Sequence, residues 1–146
     1  MKYLFVVILF IGISSCKKDE GGVSSTDHVV EGVWTNAAKS YEFYDSAGVI
    51  IYREIDYPEA IFTFKDHKMN VLYKDGTTEN GTYSTSMTKD KRFISLARNG
   101  VNQPFEIIIW NYRNMIWDME TLKDTYMENG IQKTSARSVL TMQFYR

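Results

Sequence analysis

Few side chains in this chain could do chemistry, and their types decide what is excluded. Cys16 is the only cysteine, and His28 and His67 are the only histidines. One thiol excludes an internal disulfide, and no Cys/His set has zinc-site spacing. His67 follows Asp66 in a turn-like stretch, and no nucleophile, base and acid can be assembled around it. Glu54, Asp56 and Glu59 gather about Tyr57. Glycoside hydrolysis needs two carboxylates about 5–10 Å apart, and this spacing singles out no pair. The expectation is a non-enzymatic protein with no catalytic residue, no metal and no cofactor. Lys and Arg total 17 against 18 Asp and Glu, so no basic excess favours nucleic acid.

The stretch before Cys16 says what that thiol is for. Residues 1–15 read MKYLFVVILFIGISS: a positive Lys2, an apolar run over 3–13, then Ser14 and Ser15. A bilayer span needs about 20 apolar residues, so this run is too short to be one and reads as a secretory signal. Its junction with Cys16 resembles the lipobox of bacterial lipoproteins, with Ile13 and Ser15 standing where Leu and Gly or Ala are usual. The resemblance implies a Cys16 acylated with palmitate-type chains, each buried methylene contributing about 0.8 kcal/mol of membrane affinity. The alternative is ordinary signal cleavage that leaves an exposed thiol.

The charges that follow resemble the lipoprotein export signal of Bacteroidota, matched by Lys18, Asp19 and Glu20. That resemblance implies an outer-membrane lipoprotein displayed on the cell surface; the alternative is a solvated tether on the periplasmic face. Residues 21–28, GGVSSTDH, read as flexible linker. The expected organisation is a signal peptide (1–15), a lipidated tether (16–30) and one folded domain (31–146).

The domain alternates strand-like runs with turn signals. GVWTN (32–36) and KSYEFYD (39–45) come first, and VIIYREI (49–55) precedes Pro58. AIFTFKD (60–66), KMNVLYK (68–74), TTENGTYSTS (77–86), RFISLAR (92–98), FEIIIWNY (105–112), MIWDMETL (115–122) and SVLTMQFYR (138–146) follow. Asp75–Gly76, Asn99–Gly100 and Asn129–Gly130 suit the positive φ of tight hairpins. Gly81 reads as a bulge or a close-packing point. Phe62 and Phe64 share a face, as do Met69, Val71 and Tyr73, while Met115, Trp117 and Met119 oppose Asp118 and Glu120. One apolar and one polar face on short, evenly spaced strands predict an all-β, antiparallel up-and-down barrel of about eight strands. The run at 107–110, IIIW, is apolar on both faces: a doubly covered strand or a sticky outer patch.

Gly32 and Trp34 resemble the Gly-x-Trp that opens the first strand of lipocalins. The run AIFTFKDHKMNVLYKDGTTENGTYS is similar to small lipocalin-like domains on Bacteroidota lipoproteins. The second lipocalin motif, Thr-Asp-x-Tyr, is absent; KDTY (123–126) has another order. The resemblance implies that Trp34 plugs a closed barrel end, with Arg146 or Arg137 on its face through a cation–π contact. Asp45-Ser46-Ala47 resembles the O-glycosylation sequon of Bacteroidota. Phe64, Tyr73, Tyr83, Trp110 and Trp117 are the aromatics expected to line a ligand cavity or to fill the barrel. Two functions follow. One is binding of a small hydrophobic or amphipathic ligand. The other is an interaction module, an accessory lipoprotein or inhibitor with a packed barrel, that meets an outer-membrane protein partner.

Overall fold

The computed structural model describes residues 27–146; the signal segment, Cys16, Lys18, Asp19 and Glu20 lie outside the described residues. A single helical turn, α1 (Asp27–Val30), precedes eleven strands. These are β1 (Gly32–Tyr44), β2 (Ile50–Asp56), β3 (Ala60–Lys65), β4 (Lys68–Leu72), β5 (Thr78–Thr88) and β6 (Lys91–Arg98). β7 (Val101–Trp110), β8 (Asn114–Leu122), β9 (Thr125–Glu128), β10 (Ile131–Thr134) and β11 (Arg137–Tyr145) complete them. Val30, in the stretch expected to be tether, is fully buried, so the folded body includes α1.

Every pairing is antiparallel, and β11 pairs with both β8 and β1 to close the sheet. β2 and β3 lie end to end along one edge of β1: Lys39–Tyr44 face β2, and Gly32–Asn36 face β3. They act as one strand, kinked at Tyr57-Pro58-Glu59, where Glu59 takes a φ of 50° and Pro58 donates no ladder bond. With that merger the barrel has eight staves, an up-and-down arrangement. β9 and β10 form a separate hairpin between β8 and β11.

The two runs of the first strand are a single β1, interrupted by a register slip between Asn36 and Ala38. Trp34 and Asn36 point inward before the slip. Beyond it the inward set is Lys39, Tyr41 and Phe43, because an extra residue shifts the period of two by one. Asn36 is buried and stitches the bulge, donating through Nδ2 to Ala38 O at 3.2 Å and Gln143 O at 3.1 Å. A second slip lies between Ile107 and Ile109. It turns both Ile108 and Ile109 outward while Ile107 stays buried, so the IIIW run ends as an outer apolar patch.

Turns follow local chemistry. Asp66 and His67, then Asn99 and Gly100, then Asn129 and Gly130, are consecutive positive-φ pairs, the backbone of tight hairpins. Gly81 is a close-packing point rather than a bulge: a Cβ there would sit 2.6 Å from Ala97 O on β6.

Candidate functional site

The barrel interior divides into a filled end and an open one. At the filled end Trp34 is fully buried, and its Nε1 donates to Val30 O at 2.7 Å. Arg146 covers the other side, its guanidinium carbon 4.0 Å from the Trp34 ring centroid. The same guanidinium donates to the carbonyls of Glu31 and Val29, which ties α1 across the base. Of the two arginines expected to meet Trp34, Arg146 does so; Arg137 lies over Tyr44 instead, 3.9 Å from its centroid.

Gly32 answers to the same contact. Its φ is +119°, and a Cβ there would meet the Arg146 guanidinium at 2.8 Å. Gly-x-Trp therefore places a backbone without a side chain beside the arginine that caps the tryptophan.

Above this plug, aromatic rings fill the barrel. Phe64, Tyr83 and Trp117 are almost wholly buried; Phe64 meets Tyr83 edge-on at 5.1 Å, and Trp117 lies 4.4 Å from Phe144. Of the two roles expected of these three rings, lining a cavity or filling the barrel, they take the second: all three are buried in the core cluster. Trp110 is half-buried against that core, with the Arg92 guanidinium 4.3 Å from its centroid. Tyr73 alone of the five expected residues lines the open end.

The open end holds a cavity of about 300 Å³. Its floor is apolar: Ala60, Phe62, Phe105, Leu140 and Met142. Its wall carries Lys39, Tyr41, Asp56, Tyr73, Arg98 and Gln103. The polar wall is ordered by one carboxylate. Glu79 accepts from the Tyr73 hydroxyl at 2.7 Å and from Arg98 Nη1 at 2.9 Å, while Arg98 Nη2 donates to Gln103 Oε1 at 2.8 Å. Burial, then the bond to Glu79, pushes the Tyr73 phenol above its ordinary range and keeps it protonated. Lys39 is in no ion pair among the described residues; its Nζ lies 5.0 Å from the Tyr41 ring centroid.

The β9–β10 hairpin leans over this mouth. Tyr126 packs 4.9 Å from Phe43 and stacks 4.8 Å from Tyr52, and those two rings stand opposite each other on the inner face of β1 and β2. Between hairpin and barrel lies a second, more open chamber of about 750 Å³, which shares Tyr41 with the first.

Comparison with profiles of known families, with curated proteins and with solved structures finds no match. The closed eight-strand barrel fits a lipocalin-like binding fold.

Lys39, Tyr41, Arg98, Gln103 and Phe105 were not singled out from the sequence. Lys39, Tyr41 and Phe43 do alternate within KSYEFYD, which marks a shared face, but nothing local says that this face looks into the mouth. Glu54 and Asp56 stand opposite Tyr41 and Lys39 on the mouth side of β2, while Glu59 pairs with Lys74 at 2.7 Å in the kink. His67 is exposed in its turn, its ring 5.8 Å from Tyr83. Asp45 closes the turn that carries the DSA sequence, its Oδ1 accepting from Ala47 N and Val49 N at 2.9 Å and leaving Ser46 exposed.

Proposed function

We propose that this protein is a non-enzymatic, lipocalin-like lipoprotein that binds a small hydrophobic or amphipathic ligand in the mouth of its barrel. The observation that carries this is the cavity of about 300 Å³ at one end of a barrel whose other end is filled. An apolar floor beneath a few oriented polar groups is the usual composition of a small-molecule site. Acylation at Cys16 and export through Lys18, Asp19 and Glu20 would hold that mouth at the outer face of the outer membrane; the periplasmic face is the alternative.

Ala60 gives the test. It is buried in the cavity floor, so Ala60→Phe fills the space. The soluble domain should bind the amphipathic fluorophore 1-anilinonaphthalene-8-sulfonate in its native state, and Ala60→Phe should weaken that binding about tenfold or more. Equal binding by both proteins counts against the mouth as the site. For the anchor, Cys16→Ala should move the protein from the membrane to the soluble fraction.

One observation favours a second reading, a protein-interaction module. Ile108 and Ile109 are about half exposed, and Ile108 borders an outer groove with Phe93, Pro104 and Val139. Ile108→Asp should then abolish recovery of an outer-membrane partner while leaving the fluorophore bound.

A further inference from the structure

The outer chamber differs in character from the cavity beneath it. Its walls include the rings of Tyr41, Phe43 and Tyr126, the thioethers of Met119 and Met127, and the carboxylates of Glu54 and Asp124. No Lys, Arg or His lines it. Both carboxylates lack a cationic partner: among the described residues the six ion pairs use Glu42, Glu59, Glu79, Glu106, Glu120 and Glu128. Asp124 is held in place by neutral donors, the Ser138 hydroxyl at 2.5 Å and Thr125 N at 2.8 Å. Glu54 stands opposite Tyr41 in the strand register. Two cations stand near its walls and both are engaged: Lys133, opposite Tyr126 in the hairpin, pairs with Glu128, and Lys39, one inward position further down β1 and opposite Asp56, lies over the Tyr41 ring.

We infer that this chamber binds a small organic cation, an ammonium group carrying apolar substituents. Three properties select that class. Aromatic faces attract cations through their quadrupole, most strongly where water is partly excluded. Polarizable thioethers pack well against methyl and methylene groups. Two uncompensated carboxylates supply a negative field without a rigid coordination shell. A metal ion fits less well, since no group of three or more His, Cys, Asp or Glu side chains converges among the described residues. The chamber and the apolar cavity have only Tyr41 in common among their lining residues, so the carboxylates and thioethers proposed to hold the cation are not part of the site proposed for the apolar ligand.

The test uses choline and its uncharged isostere 3,3-dimethylbutan-1-ol, titrated into the soluble domain by isothermal calorimetry and by shifts of the tyrosine ring protons. Choline should bind at least tenfold more tightly than the isostere, and its affinity should fall with added salt. Glu54→Gln should lower choline affinity about fivefold or more without changing stability, because the Glu54 side chain is exposed. Equal affinity for choline and the isostere, no binding of choline, or a Glu54→Gln protein that binds choline as the parent does would overturn the assignment. Unchanged fluorophore binding to the lower cavity in the same samples separates that failure from a failure of the mouth reading.

Discussion

Arg146 lies over Trp34, with its guanidinium carbon 4.0 Å from the ring centroid and its Nη2 donating to the carbonyl of Glu31. One side chain thus caps the barrel plug and ties down the helical turn before it. A cation–π contact contributes about 0.5–2 kcal/mol, and a hydrogen bond from a charged donor about 1.5–3 kcal/mol. Arg146 is exposed, so Arg146→Ala should cost about 2 kcal/mol, the low end of that sum, read as a lower urea midpoint with unchanged slope. Gly32→Ala should cost a similar amount in the parent, and less in an Arg146→Ala background. There only the φ of +119° remains unfavourable and the 2.8 Å clash is gone. Strict additivity of the two would disprove the steric link.

The two buried tryptophans should respond differently to loss of their indole N–H. Trp34 Nε1 donates to Val30 O at 2.7 Å, whereas Trp117 Nε1 is buried with no hydrogen-bond partner among the described residues. Trp→Phe removes similar volume at each site. Trp34→Phe also strands a carbonyl, a cost of about 1–3 kcal/mol. Its loss of stability should exceed that of Trp117→Phe by about that amount in parallel denaturant titrations.

Tyr126 is the anchor of the β9–β10 hairpin on the mouth. Tyr126→Ala removes its packing against Phe43 and Tyr52 and should cost about 2–4 kcal/mol. Hydrogen exchange should quicken in the hairpin amides before those of β5 to β8. Uniform acceleration would mean that the hairpin unfolds only with the whole barrel.

Stability should depend on pH through one outer-face pair. The Tyr44 hydroxyl donates to Glu42 at 2.5 Å, and Arg53 reaches the other carboxylate oxygen at 2.5 Å. The bond from Tyr44, with Arg53 adding to it, holds the Glu42 carboxyl below its ordinary value of 4.5. A lowered carboxyl stabilises the fold above pH 4.5, and that contribution is lost as pH falls through the lowered value. Glu42 in turn raises the Tyr44 phenol above its ordinary 10.0. That contribution is present below pH 10.0 and lost as pH rises through the raised value. Glu42→Gln should flatten the acid limb of the stability curve, and Tyr44→Phe part of the alkaline limb.

The bulge at Asn36 should tolerate shape but not a change of donor. Asn36 directs its amide at two carbonyls while almost wholly buried. Asn36→Asp replaces the donor with a carboxylate and should cost about 3 kcal/mol or more at neutral pH. Thermal unfolding at pH 7 against pH 4 checks it, since protonating the aspartate restores a donor and part of the loss.

Much of the barrel was legible residue by residue. The faces of β3, β4 and β8 follow from a period of two, because adjacent side chains on a strand point to opposite sides. The turns at Asn99-Gly100 and Asn129-Gly130 were legible because few residues accept positive φ; Asp66-His67 was read only as a turn, and at Asp75-Gly76 the glycine alone takes positive φ. Trp34 as the plug was legible through Gly-x-Trp, and the barrel supplies the physical reason in Gly32 and Arg146. Cys16 and the charges behind it were read from the chain and lie outside the described residues.

What the sequence by itself determined, then, is which residues sit on the apolar side of the regular strands, such as β3, β4 and β8, and where the chain turns. Only the tertiary structure decided which inward positions become core and which become mouth. Phe64, Tyr83 and Trp117 look like Tyr41 and Tyr73 in a local pattern, yet the first three interlock and the last two face open space. The reason is geometric. Two of the three single-residue slips, at Asn36/Ala38 and Ile107/Ile109, reset which face looks inward, and the kink at Tyr57-Pro58-Glu59 splits one stave into β2 and β3, of which only β3 pairs with β4. A slip becomes visible only when a partner strand counts the residues opposite it, and that pairing comes from closure of the barrel.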